Sequence, residues 1–234
     1  MSIFSRLVRI VAGGAGRLGA AVSSLRAVLA NLPDSELRRQ AAFTIAMIGL
    51  SAKMAKADGV VTPPEVDAFC RLFSIPPGEE RNVSRIYNLA KRDIAGFEAY
   101  ARDVARLFSG QHAMLEDILD GLFDIAKADG AVHERELAYL ARVAEIFGLD
   151  EHAFAKVRAR HLVEDGADPF VVLDADPSWE YERLRRHYRR LVTENHPDRL
   201  IARGVPEEFV RIANDRLAAI NSAWAKIERQ RAPA

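Results

Sequence analysis

Apolar residues return at helical spacing along almost the whole chain, and no stretch alternates strictly enough to read as a strand. The expected fold is therefore all-α. One feature organises the middle. AKADGVVTPPEV at 55–66 recurs as AKADGAVHEREL at 126–137, with Ala55 to Gly59 matching Ala126 to Gly130, Val61 matching Val132 and Glu65 matching Glu136. Apolar helices precede both copies (AFTIAMIGLSAKM and MLEDILDGLFDI), and further helices follow (VDAFCRLFSI and LAYLARVAEIFGL). Each unit is a helix–turn–helix that cannot bury its stripe alone, so the two copies should pack into one duplicated bundle. Gly59 and Gly130 suit the left-handed position that ends a helix. Thr62-Pro63-Pro64-Glu65 reads as a restart: a capping threonine, a proline in the first turn and a glutamate closing a capping box.

The polar stretch HLVEDGADP marks a boundary near 163–168. The division expected is an apolar amphipathic segment at 1–30, a helical domain at 31–163 and a compact module at 168–231. In that module PFVVLDAD is a short apolar turn. WEYERLRRHYRRLVTE is a long helix with Leu184, Tyr188 and Leu191 on one face and Arg185, Arg186, Arg189 and Arg190 off it. NHPDRLIARG reads as a loop. VPEEFVRIANDRLAAINSAWAKIERQ is a second long helix, started by Pro206, Glu207 and Glu208, with Leu217, Ile220, Trp224 and Ile227 as its stripe. The two long helices form an antiparallel hairpin with the short turn over its seam.

At the tip stands His196-Pro197-Asp198. A catalytic pair would need the carboxylate aimed at the ring and a nucleophile beside it. No nucleophile motif or Gly-rich phosphate loop is present, and His112, His133, His152, His161, His187 and His196 lack metal-ligand spacing. No enzyme activity and no cofactor are expected. Pro197 alone would only stop a helix. A stiff polar loop beside a one-sided arginine face is instead a recognition surface, because the proline lowers the entropy lost on binding.

Composition narrows this further. The chain has 234 residues with 33 Lys and Arg against 33 Asp and Glu, so a formal net charge of zero argues against a chain-wide nucleic-acid surface. The single cysteine, Cys70, sits among apolar residues and suits a reduced, cytoplasmic setting. In residues 1–30 no uncharged apolar run approaches the ~20 residues of a spanning helix. The arginines at 6, 9, 17 and 26 leave a frayed or docking helix, or contact with a membrane surface, as the readings.

Residues 168 to about 230 resemble a J-domain of the DnaJ type, on DPFVVLDADPS, HYRRLV, NHPDRL and LAAINSAWAKI together. Three features depart from the family pattern: Asn195 stands at a usually aromatic position, Glu194 where a lysine is usual, and RLIARGVPEEF is long, as in DjlA-type members. The repeated AKADG motif is similar to the TerB-like domain that precedes the J-domain in DjlA-type proteins. The resemblance implies a co-chaperone that stimulates ATP hydrolysis by a DnaK-type chaperone and so promotes client binding. It implies that His196, Pro197 and Asp198 form the trigger, and that Arg185, Arg186, Arg189, Arg190 and Arg199 meet the partner. The competing reading is a TerB-type metal- or stress-responsive adaptor with a degenerate J-like module. For that reading the metal candidates are Asp58, Glu65, Asp129 and Glu136. The motif matches the second half of a calcium loop, but Met54, Lys56, Ile125 and Lys127 stand where oxygen ligands are needed, so those acids read as caps and turns.

Overall fold

A computed structural model describes residues 34–57, 69–70, 75–84, 96–129, 132–162 and 168–231. The segment 1–30, the turn holding Asp58 and Glu65, and the first copy's restart at Thr62 lie outside these residues. Among the described residues the structure is helical and has no strand. The elements are α1 (Ser35–Ala57), α2 (Phe97–Leu107), α3 (His112–Ala126), α4 (Glu134–Ile146), α5 (Glu151–His161), α6 (Pro169–Leu173), α7 (Tyr181–Glu194), α8 (Pro197–Arg203) and α9 (Arg211–Arg231).

The apolar helices that precede the two repeat copies are α1 and α3, and they are central. Phe43, Met47, Ile48 and Leu50 of α1 and Ile118, Leu119, Leu122 and Phe123 of α3 are fully buried, because residues on most sides of each helix are apolar. Two tyrosines spend their hydroxyls on α1 carbonyls, Tyr100 on Ile45 and Tyr139 on Leu50, each at 2.8 Å. Those bonds satisfy polar atoms that burial would otherwise leave bare. In the second copy Glu136 accepts from the His133 backbone N–H at 2.9 Å, a cap at the start of α4. Asp129 ends the 3-10 turn that follows α3.

The C-terminal hairpin is antiparallel, as Tyr188 bonds Asn221 and Tyr181 bonds Glu228. A small core of Val172, Leu173, Leu184, Ile220, Ala223, Trp224 and Ile227 fills its seam. Tyr188 stacks on Trp224 with centroids 4.8 Å apart. His187 donates through Nε2 to the Leu173 carbonyl at 2.6 Å and fastens α6 onto α7.

Three local expectations change. The stretch 195–204 is not a plain loop, since residues 197–203 form α8. Pro197 ends α7 but also occupies the first position of α8, where its missing N–H leaves no bond unmade. The last helix begins at Arg211 rather than near Val205, and Pro206 precedes a separate 3-10 turn, Glu207–Phe209. The buried face of α9 also runs further back. It includes Ile212, Ala213 and Arg216, while Leu217 is only half-buried.

These changes share a cause. Leu200, Val205, Phe209, Ile212 and Ala213 belong to the larger core with α1 and α3, so the packing does not divide where the sequence suggests a boundary. Phe209 meets Phe43 edge-on at 5.2 Å and Phe69 at 6.2 Å. Gly121 lets Ile212 approach, since a Cβ there would lie 2.8 Å from Ile212 Cδ1. Gly204 closes α8 in the left-handed region (φ +99°), where a Cβ would lie 2.7 Å from Arg39 Cβ of α1.

Candidate functional site

His196 caps α8, and its Nδ1 accepts from the Asp198 backbone N–H at 3.3 Å. Asp198 follows in the first turn, where the helix dipole favours a carboxylate. Its Oδ2 lies 3.4 Å from His196 Nδ1, but 85% of the Asp198 side chain and 55% of the His196 side chain face solvent. Such a pair contributes little to stability. Its polar atoms are open to a partner.

The arginines of α7 run along the helix that leads to this turn. Arg185, Arg186, Arg189 and Arg190 are all exposed. Arg185 and Arg190 reach Glu182 and Glu194 only at 3.9 Å, and Arg190 also donates to His187 Nδ1 at 2.9 Å. Among the described residues no carboxylate lies within ion-pair distance of Arg186, Arg189 or Arg199. The exposed arginines therefore run along α7 toward the His-Pro-Asp turn, with Arg190 six residues, roughly 9 Å along the helix axis, and Arg185 eleven residues, roughly 16 Å, before His196. Of the metal candidates, Asp58 and Glu65 lie outside the described residues, and Glu136 serves as the cap above. No group of three His, Cys, Asp or Glu among the described residues could hold a metal ion.

A second group of residues behind the tip escapes the sequence patterns. Asp117, Asp120 and Asp124 project from α3 into the interior, all essentially fully buried. Arg216 of α9 donates to Asp117 at 2.7 Å and also pairs with Asp120. Arg203 of α8 makes a forked bond to Asp117 at 2.7–3.1 Å. From α5, Arg160 reaches Asp120 at 3.0 Å and Glu116 at 2.6 Å, and His161 reaches Asp120 at 2.7 Å. Lys127 Nζ lies 2.9 Å from Asp124 Oδ1 and 3.0 Å from His161 Nδ1. Arg216 also donates to Asn195 Oδ1 at 3.1 Å, directly beside the His-Pro-Asp turn.

A signal for this network does exist. Acids at 117, 120 and 124 stand at i, i+3 and i+7 on a helix whose other positions are largely apolar, and Arg216 stands among the apolar residues of α9. Buried charges require partners.

Burial opposes a charge on His161, yet its hydrogen bond to Asp120 and the nearby Asp124 carboxylate at 3.3 Å outweigh that, and its pKa lies above the ordinary histidine value. Burial likewise opposes ionised Asp120, but Arg216, Arg160 and the bond from His161 hold it well below the usual carboxylate range. Glu116 is also lowered, with Arg160 and Arg216 prevailing over burial. The signs differ. A raised histidine stabilises fully below its unfolded value, about pH 6.5, and that contribution is lost as pH rises through the folded value. The lowered carboxylates stabilise above about pH 4, and this is lost only as pH falls through their folded values. The melting temperature should therefore fall as pH rises above about 6.5, and His161→Gln should flatten that fall. Thermal melts from pH 5 to 9 check this; equal slopes in both proteins would remove His161 as the cause.

Comparison with known proteins agrees with this architecture. The family model described as tellurite resistance protein TerB matches residues 44–159, the span that holds α2 to α4 and most of α1 and α5. The class is thus a TerB-like helical region followed by a helical C-terminal module. A co-chaperone protein DjlA of Photobacterium profundum is 26% identical over 227 residues, covering 86% of this chain and 82% of that protein. The co-chaperone protein DjlA of Vibrio parahaemolyticus is 25% identical, covering 83% and 80%, and that of Escherichia coli is 22% identical, covering 84% and 82%. Taken together, these findings make the chain similar to DjlA-type proteins along most of its length. No solved structure matches it.

Proposed function

We propose that the chain is a DnaJ-like co-chaperone whose C-terminal module, residues 168–231, acts as a J-domain on a DnaK-type chaperone. The observation that carries this reading is the tip itself: an exposed His196-Pro197-Asp198 turn beside an exposed arginine face, in a chain whose relatives along most of its length are named co-chaperones. In this reading Arg185, Arg186, Arg189, Arg190 and Arg199 steer and orient the encounter with an acidic partner surface. Asp198 then makes a charge-assisted hydrogen bond to a partner cation, and this bond triggers ATP hydrolysis. The chain itself does no chemistry. It raises the chaperone's hydrolysis rate and so promotes client capture. The TerB-like region, residues 31–163, is its scaffold. The reading carries a cytoplasmic location, which the lone Cys70 suits.

Steering is testable apart from triggering. Charges exposed to solvent act mainly on the association rate and are screened over about 8–10 Å at physiological salt. Arg186→Glu combined with Arg190→Glu should slow association with the ATP-bound chaperone by about tenfold or more at low salt, and less at high salt. Stopped-flow binding at two ionic strengths reads this. An unchanged low-salt rate would mean that the arginine face plays no part in the encounter.

A further inference from the structure

The two side chains of the tip meet only at 3.4 Å, and His196 otherwise holds the Asp198 backbone N–H at 3.3 Å, so the direction of the Asp198 carboxylate depends on how α8 is held. Both ends of α8 lead to one carboxylate. At its start, Asn195 donates through Nδ2 to the Leu191 carbonyl at 2.8 Å and accepts at Oδ1 from Arg216 Nη1 at 3.1 Å. Arg216 Nη2 then donates to Asp117 Oδ1 at 2.7 Å. At the end of α8, Arg203 grips the same carboxylate in a fork. Asp117 is fully buried in the TerB-like core and Arg216 is 5% exposed. Only a planar guanidinium spans the two acceptors in this way. A lysine offers one compact charge and cannot reach both with fixed geometry.

We propose that Arg216 and Asn195 are positioning residues for the His196-Pro197-Asp198 turn: through them, Asp117 of α3 sets the direction in which Asp198 is presented to the partner. The TerB-like region is then part of the trigger's frame as well as its neighbour in sequence. The inference rests on the co-chaperone reading above. It also gives Asn195 a purpose, since an aromatic ring at that position has no amide oxygen with which to accept from Arg216.

The test uses the full chain and measures chaperone ATP hydrolysis against co-chaperone concentration, together with hydrogen exchange of the α8 amides. Asn195 lies at a helix end and is only half-buried, so Asn195→Leu should leave the melting temperature unchanged. It should lower maximal stimulation by about tenfold while leaving the half-saturating concentration unchanged, because binding is intact and orientation is lost. Exchange across 197–203 should speed up, and that across α7 should not. Asn195→Asp keeps the acceptor for Arg216 and should restore both readouts. A merely structural residue would move the melting temperature and would not separate maximum from half-saturation. If the wild-type chain stimulates and Asn195→Leu does so equally, the positioning role is overturned while the co-chaperone reading stands. If Asn195→Asp behaves like Asn195→Leu, the Nδ2 bond to Leu191, which both variants lack, orients the turn, and the link through Arg216 is wrong. A wild-type chain that leaves hydrolysis at its basal rate overturns the co-chaperone reading and this inference with it.

Discussion

Asp198→Asn should abolish stimulation of chaperone ATP hydrolysis at every concentration, with the melting temperature unchanged. The amide keeps the shape of the carboxylate and removes the charge. A charge-assisted bond is about twice as strong as a neutral one, and the proposed trigger depends on that difference. Stability should not follow, because the side chain is 85% exposed and the substitution falls among surface changes worth about 0.5 kcal/mol or less. His196→Gln should behave similarly, since glutamine cannot reproduce the ring that caps α8 beside Asp198. These variants differ in kind from the arginine reversals: added protein should partly rescue a weakened encounter, and no concentration should rescue a missing trigger. Single-turnover assays across a concentration series make the distinction. Wild-type stimulation by Asp198→Asn would reject the trigger role.

Asp117→Ala is expected to have the largest effect on stability. It removes the carboxylate that Arg203 and Arg216 share. Asp120 still faces Arg216, but Arg203 has no second acid within reach among the described residues. Arg216 keeps one carboxylate and the Arg203 side chain is 28% exposed, so the cost falls below that of an unpaired buried charge, at about 2–3 kcal/mol for the lost charged hydrogen bonds. That is a large share of the ~5–15 kcal/mol that holds a domain folded. The loss should be felt first where the C-terminal module meets α3, so α8 should exchange its amides faster than the seam around Trp224. Denaturant unfolding with hydrogen exchange measures both. A loss under about 1 kcal/mol would mean that the apolar contacts of Phe209 and Ile212 dock the module without help from the charges.

The helical periodicity, the duplicated unit and the hairpin with its tip are all legible in the sequence because each rests on a local rule. Leu184, Tyr188 and Trp224 lie on stripes that a helix must bury, and they meet as those stripes predict. What escapes is set by contacts between distant segments. RLIARG reads as a loop because it is short and follows a proline; it becomes a helix because Leu200 is buried in the larger core and Arg203 finds Asp117, residues far away in sequence. The stripe of α9 is placed on Leu217 in the sequence because an arginine is not counted among core positions, yet Arg216 is buried and Leu217 is half-exposed. Buried charge of this sort reads as surface until its partners are known. The exposed tip has the opposite property: its residues are visible as a motif, while Asn195 beside them is a departure from pattern whose partner, Arg216, only the fold supplies.

The co-chaperone function is read in the rate of a single ATP turnover by a DnaK-type chaperone, measured with increasing amounts of the full wild-type chain. With a functional J-domain the rate rises with concentration and saturates. A rate that stays at its basal value, under conditions where an established co-chaperone raises it, would contradict a J-domain role for residues 168–231.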